Sequence, residues 1–366
     1  MRIAIDLRMA GGDYGIGRYG LELTGRILDL DRENTYMLLV RNPDEFRQYA
    51  GRKNVTVIRA DYPHYSMREQ VAFYWLLRRL KPDLVHFINF NVPIFYNRPF
   101  VVTVHDLIHH RMPGNKKSRI LHRAAYKAII RHAIMASKRI ITVSNFSRDE
   151  ILRYYQVQKN KISVVYEAAT VQPVSDSDIA QVRQKFGIGK PYIIFVGVME
   201  RKKNVLALAA AFDILKDDYS QNIQLVLAGR EDRHYPEIIR QVSEIRYKKD
   251  LILTGVVGDK DKYALYKGAD AFVSASLFEG FGLPGVEAMS VGTPLAVSNI
   301  EVFNEIYDNG AIYFDPKNPR DIAQKINLLM SDRKYRELIS NNAFQRAKDF
   351  SWEKAARETL SIYKQP

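Results

Sequence analysis

The chain has 366 residues, 46% of them hydrophobic and 26% charged, with 14 prolines and no cysteine. That length suffices for two domains with full cores, the composition excludes a disordered chain, and the missing thiols exclude a disulfide framework or a thiolate metal site. The formal net charge of +14 asks for an anionic partner.

The opening Met1-Arg-Ile-Ala-Ile-Asp6 reads as a strand and lacks the apolar core of a signal peptide. No run is apolar enough to span a membrane, so the expectation is a cytoplasmic protein with at most peripheral membrane contact. Apolar, β-prone runs follow at Ile3–Leu7, Thr35–Val40, Val55–Ile58, Leu84–Ile88, Phe100–Val104, Ile140–Val143 and Ile162–Tyr166. Helical periodicity separates them at Gly17–Leu30, Ser66–Leu80, Lys117–Ala136 and Arg148–Tyr155. The polar segment Ala169–Asp178 has no periodicity and is the best linker candidate. A second series has strands at Tyr192–Val196, Leu225–Ala228, Leu251–Leu253, Ala271–Ser274 and Leu295–Val297. Its helices fit Lys203–Leu215, Glu237–Arg246, Lys260–Lys267, Leu283–Ser290 and Pro319–Leu329, and a last helix near Trp352–Tyr363 follows a cap at Ser351. Near-continuous apolar strands alternating with helices predict parallel sheets covered on both faces. The expected fold is therefore α/β, two doubly wound Rossmann-like domains over about 1–170 and 171–350.

Ser274 to Ser298 carries the most chemistry. An apolar strand empties into a glycine-rich turn, and a helix starts near Leu283 or Pro284, a residue suited to a first helical turn. Gly280 and Gly282 let backbone approach a ligand, and the helix start makes an anion site. Glu279 and Glu287 flank the turn with seven residues between them. Carboxylates want hydroxyl donors, not phosphate. Phosphate at the amides and a polyol at the carboxylates together predict a nucleotide sugar.

The run Glu279-Gly-Phe-Gly-Leu-Pro-Gly-Val-Glu287, with Gly292-Thr-Pro294, resembles the paired-glutamate motif of the retaining glycosyltransferases of family four. The resemblance implies the GT-B fold, with the two domains facing a central cleft and the last helix, 351–366, crossing back to the first domain. It implies that Glu287 binds the ribose hydroxyls and Glu279 the transferred sugar, with the amides of Phe281, Gly282 and Leu283 on sugar and phosphate. It also gives the glycine-rich Gly15-Ile-Gly-Arg-Tyr a place near the donor diphosphate, through Gly15 and Gly17. As a dinucleotide fingerprint the same string is poor, because the preceding loop is long and no acidic residue closes a second strand at the right distance.

His105-Asp106 follows a strand; the family carries such a pair with the histidine on the donor sugar or acceptor, although Asp106 could simply orient His105. Ser147 with Glu150 reads as a capping box. The turn Gly197-Val-Met-Glu-Arg-Lys-Lys-Asn204 supplies the cations that neutralise a departing diphosphate: Lys203 matches the family lysine. The arginine many members carry after the glycine is replaced by Val198, which leaves Arg201 or Lys202 as the second cation. Val257 is expected against the base. Asp259 could accept from an exocyclic amine, which favours guanine. The resemblance is to bacterial polysaccharide mannosyltransferases, so GDP-mannose is the expected donor and a saccharide or lipid-linked molecule the acceptor.

Residues 107–148 hold no acidic side chain but ten cations: Arg111, Lys116, Lys117, Arg119, Arg123, Lys127, Arg131, Lys138, Arg139 and Arg148. With the apolar stripe Tyr126, Ile129, Ile130 and Ile134, the region is either a packed helix with a solvated face or a contact for an anionic membrane. No metal and no cofactor beyond the nucleotide sugar is expected: Asp29-Leu-Asp31 sits at a helix end, the like strings at Asp176–Asp178 and Asp259–Asp261 are chance matches, and no Cys or His cluster accompanies them. A sugar-phosphate epimerase or phosphorylase would share the motifs. A nucleic-acid-binding protein would share only the charge, and no nucleic-acid partner is expected.

Overall fold

In the computed structural model the described residues are 1–10, 15–49, 51–111 and 120–365. They divide into two units, Met1–Glu167 with Ser351–Pro366, and Ala168–Phe350.

The first unit is built on β1 (Arg2–Asp6), α1 (Gly15–Leu30), β2 (Thr35–Val40), β3 (Val55–Arg59), α2 (Tyr74–Leu80), β4 (Leu84–Phe87), β5 (Phe100–Val104), α3 (Ile108–Arg111), α4 (Ile120–Ala136), β6 (Arg139–Thr142), α5 (Asn145–Tyr154) and β7 (Ile162–Val164). The strands run parallel in the order β3-β2-β1-β4-β5-β6-β7. The order reverses between β1 and β4, which is where a doubly wound sheet opens a crevice above its strand ends. β4 and β5 are buried along their whole length, as strands covered on both faces must be. α1 lies close on this sheet: a Cβ at Gly20 would stand 2.5 Å from Ile88 Cδ1. The third glycine of Gly15-Ile-Gly-Arg-Tyr-Gly20 thus serves helix–sheet packing.

The second unit holds α6 (Asp176–Phe186), β8 (Tyr192–Val196), α7 (Val205–Asp217), β9 (Gln224–Ala228), α8 (Pro236–Ser243), β10 (Leu251–Gly255), α9 (Asp259–Lys267), β11 (Ala271–Ser274), α10 (Leu283–Ser290), β12 (Leu295–Ser298), α11 (Glu301–Tyr307), β13 (Ala311–Phe314), α12 (Pro319–Ser331) and α13 (Arg333–Ala347). Its parallel order is β10-β9-β8-β11-β12-β13. The chain then forms α14 (Trp352–Tyr363), capped by Ser351, and this helix belongs to the first unit, where it packs on α1.

Several elements depart from the sequence reading. The end of the polar segment Ala169–Asp178 is the start of α6, with Ser175 and Asp178 forming a reciprocal capping box. Lys203 lies in a single 3-10 turn, Arg201–Lys203, and the helix begins only after Asn204, whose φ of 53° breaks the path. Ser147 is not a cap. α5 starts three residues earlier than predicted, and Ser144 accepts from the Ser147 amide. Ser147 instead donates its hydroxyl to the His105 carbonyl at 3.0 Å, and Glu150 receives Arg111 through two bonds of 2.7 Å.

The basic region also resolves in part. Lys116, Lys117 and Arg119 lie outside the described residues. In α4, Ile130 and Ile134 are buried in the first unit's core, and Tyr126 and Ile129 pack against it. The apolar stripe is therefore taken up by the core, and among its described side chains α4 exposes Lys127 and Arg131 together with Met135; the Arg123 side chain is not among those described.

Candidate active site

In each unit the sequence-predicted residues stand beyond the carboxyl ends of parallel strands, either on the loops that follow them or in the first turns of the helices those loops lead into. In the second unit these loops interlock. Gly229 has a φ of 138°, and a Cβ there would lie 2.0 Å from the Gly197 carbonyl oxygen, so the turns after β8 and β9 touch backbone to backbone. The Gly229 amide donates to the Gly255 carbonyl at 2.8 Å, which joins the turn after β10. The Leu277 amide donates to the Lys202 carbonyl at 2.7 Å, fastening the loop after β11 to the Arg201–Lys203 turn.

That fastening sets Lys203 against Glu279. Lys203 Nζ donates to Glu279 Oε1 at 2.6 Å, and the Ser276 hydroxyl donates to the same oxygen at 2.8 Å. Burial alone would raise the Glu279 pKa. The charges of Lys203 and Lys202, with the bonds from Lys203 and Ser276, outweigh it and hold the carboxyl below its ordinary value. Of the two candidates for the second cation, only Lys202 acts on Glu279 in this way. Arg201 is turned outward, its guanidinium 4.4 Å from the Tyr235 ring centroid and 3.5 Å from Glu237.

Gly282 caps α10 with a φ of 100°, a conformation that glycine adopts without penalty. Its carbonyl accepts from the Gly285 amide at 3.0 Å and from the Tyr307 hydroxyl at 2.7 Å. The amides of Gly282 and Leu283 precede that first intrahelical bond and share the positive end of the helix. One turn on, Glu287 is buried. Lys262 Nζ donates to its Oε1 at 2.9 Å and the Tyr266 hydroxyl to its Oε2 at 3.2 Å. Lys262 also lies 3.0 Å from Asp259, the exposed first residue of α9, while Val257 is half-buried in the loop before it. The motif thus yields two buried carboxylates, one on each side of a helix start, each joined to its own lysine. Ser276, Lys262, Tyr266 and Tyr307 were missed by the sequence reading; Lys262 stands four residues before Tyr266, so both face one carboxylate from one helix side.

In the first unit, His105 Nε2 faces the Ile88 carbonyl at 2.9 Å and Nδ1 faces Glu167 at 3.2 Å. The orienting carboxylate is Glu167 and not Asp106, which accepts the Ile108 amide at 3.0 Å. The Tyr19 ring meets His105 edge-on, centroids 4.7 Å apart, and its hydroxyl is 3.1 Å from Thr103 Oγ1. Thr103 is in turn 2.9 Å from Nε2 of the buried His86, whose Nδ1 is 2.6 Å from the Tyr363 hydroxyl on α14. Burial, with a smaller contribution from His105, lowers the His86 pKa from 6.5 to about 3. At the end of β1, the fully buried Arg8 donates twice to Asp6 at 2.8 Å and lies 3.0 Å from Glu69 and 3.7 Å over the Phe73 ring. Gly15 opens α1 with nothing within 4 Å of a built Cβ, whereas Gly17 is buried. Among the described residues no group of three or more metal-ligating side chains is brought together.

The chain as a whole has known relatives. Residues 15–171 match the family described as Glycosyltransferase Family 4, and residues 178–346 match Glycosyl transferases group 1. The O-antigen chain mannosyltransferase B of Escherichia coli is 29% identical, over 96% of both chains. The O-antigen chain mannosyltransferase RfbU of Salmonella typhimurium is 28% identical over 68% of this chain and 67% of its own. Among solved structures, Anabaena HepE in complex with UDP-glucose superimposes with a TM-score of 0.79 at 17% identity, over 99% of this chain and all of its own. The fold is GT-B. The chain belongs to glycosyltransferase family four and is a glycosyltransferase.

Proposed function

We propose that the protein is a retaining hexosyltransferase that moves mannose from GDP-mannose to a saccharide or lipid-linked acceptor in bacterial surface polysaccharide synthesis. The observation that carries this reading is the pair of lysine-joined carboxylates around the Gly282 turn. Glu279 is held ionised, so it presents acceptor oxygens to the hydroxyls of the transferred sugar, and Glu287 does the same for the ribose diol. The amides of Phe281, Gly282 and Leu283 meet sugar and phosphate at a helix N-terminus.

Lys203, with Lys202 beside it, stabilises the negative charge that builds on the diphosphate as the glycosidic bond breaks, which is electrostatic preorganisation. The acceptor oxygen bonds to the anomeric carbon on the face the diphosphate leaves, and its proton passes to the departing phosphate oxygen. His105, pinned between Ile88 and Glu167, contributes an oriented polar edge, and Gly15 and Gly17 lie near the diphosphate. Val257 packs on the base and Asp259 accepts from guanine. No metal is needed, because the lysines supply the countercharge. The two O-antigen mannosyltransferase relatives support mannose as the sugar and a polysaccharide as the destination. The exposed Lys127, Arg131 and Lys138 of the 107–148 region support work at an anionic membrane surface.

A thermal-shift panel of GDP-, UDP- and ADP-sugars tests the donor. At a hundred times its Kd a bound donor adds about 2.7 kcal/mol of stability, so GDP-mannose is expected to raise Tm clearly, with or without chelator. Product NMR is expected to show the anomeric configuration of the donor. Stabilisation by none of the sugars, or an inverted product, would overturn the reading.

A further inference from the structure

We propose that the outer face of the helical run 67–80 is the surface by which the enzyme lies on an anionic lipid bilayer. This rests on the reading that the enzyme works at a membrane, and it places the apolar part of that contact away from α4. The run consists of a short α segment, one wider π turn at Glu69–Phe73, and α2. Its inner side is committed: Phe73, Leu76 and Leu77 belong to the first unit's core, and Glu69 is buried against Arg8. Its outer side carries Met67, Val71 and Trp75, which are 76%, 49% and 63% exposed. They are spaced four apart, so they form one row along the helix. The Ile94 amide donates to Gln70 Oε1 at 2.9 Å, tying the next loop to the helix beside Val71, and that loop carries Phe95, 71% exposed.

A row of methionine, valine, tryptophan and phenylalanine held outward is an apolar patch that water must hydrate until something covers it. The surrounding charge decides what covers it. Arg68, Arg78, Arg79 and Lys81 are exposed around the row, and Arg98 follows Phe95 in the same loop. Between Tyr62 and Pro82 the one carboxylate is Glu69, which is buried. A second copy docking here would set cations against cations. An anionic bilayer meets both demands: the aromatic and apolar side chains enter the headgroup–acyl boundary, and the arginines reach the phosphates. Tryptophan is a preferred interfacial residue.

The test uses the full chain with phosphatidylcholine vesicles, with and without phosphatidylglycerol. The expected result is salt-sensitive sedimentation with the anionic vesicles and a blue shift of Trp75 emission; the other tryptophan, Trp352, is buried and is the silent reference. The variant Met67→Ser/Trp75→Ser/Phe95→Ser is expected to lose at least about tenfold in vesicle partitioning, by loss of buried apolar area. Arg78→Gln/Arg79→Gln should lose several-fold, and Lys127→Gln/Arg131→Gln, on α4, should lose less. Unshifted Trp75 emission with persistent sedimentation, or greater loss in the α4 variant, would overturn this surface while leaving membrane work intact. Indifference to anionic vesicles would overturn both. A change in oligomeric state on removing the apolar row would overturn it in favour of a second copy. Should the triple variant fail to fold, the arginine variant and the Trp75 emission of the unaltered protein still decide.

Discussion

Burial pushes the Glu279 carboxyl up, and Lys203 does most to bring it below its ordinary value. Removing that amine leaves burial in command, so Lys203→Ala should shift the acid limb of the kcat/KM profile to higher pH. It should also lower turnover about ten- to a hundredfold, the worth of one charge-assisted contact. A pH–rate series on both proteins checks this, and an unshifted profile with full activity removes Lys203 from the site. His86 gives the opposite kind of test. Below about pH 6.5 the unfolded chain binds a proton that the native histidine refuses until about pH 3. This stabilising contribution is complete above the unfolded pKa and is lost as pH falls through that interval. His86→Leu should therefore lower Tm at neutral pH, by stranding the Tyr363 hydroxyl and leaving Thr103 with Tyr19 alone, yet flatten the decline of Tm between about pH 6.5 and 4. At this scale the sequence was legible where spacing was local. Glu279 and Glu287 are eight positions apart in one strand–turn–helix, so the pattern names both. Lys262 and Glu167 reach their partners across 25 and 62 positions, and no local pattern announces such pairs.

α10 owes its place to what it lacks. A Cβ on Gly285 would stand 2.4 Å from Tyr307 Cζ, and one on Gly282 would stand 2.2 Å from the Tyr307 hydroxyl. In an exposed helix Gly→Ala stabilises by about 0.5–1 kcal/mol. Here Gly285→Ala should instead lower Tm and weaken nucleotide-sugar binding, by pushing α10 off Tyr307. Thermal melts with and without donor check the sign. Strands were legible where their apolar runs are continuous, as in β4 and β5. The sequence reading nevertheless missed β13, whose run Ala311–Phe314 is apolar and largely buried, and α11 before it. The other missed elements lack that signature. α6 opens with Asp176-Ser-Asp178, charged residues that read as linker until Ser175 is seen to cap them, and α13 buries little beyond Ile339 and Ala343, so its periodicity is faint. In α4 the pattern was read correctly as amphipathic, but its apolar side could as well have met a bilayer as a core. Only packing decides.

The first unit is assembled from both ends of the chain. α14 packs on α1, Trp352 meets Tyr19 with ring centroids 6.1 Å apart, and Tyr363 closes the bond to His86. Deleting 351–366 should therefore lower the first unit's stability more than any single substitution above, while the second unit, contiguous in sequence, keeps its fold. Limited proteolysis of the truncated protein should degrade 1–167 first; equal resistance of the two units would refute this. Tyr363→Phe, which removes only the hydroxyl, should cost about 1–3 kcal/mol by stranding the buried Nδ1 of His86. On the ribosome this design inverts the usual order of maturation, in which the segment made first is finished first. Here residues 1–167 must wait, their sheet formed but one flank unsealed, until 351–366 follow the second unit off the ribosome.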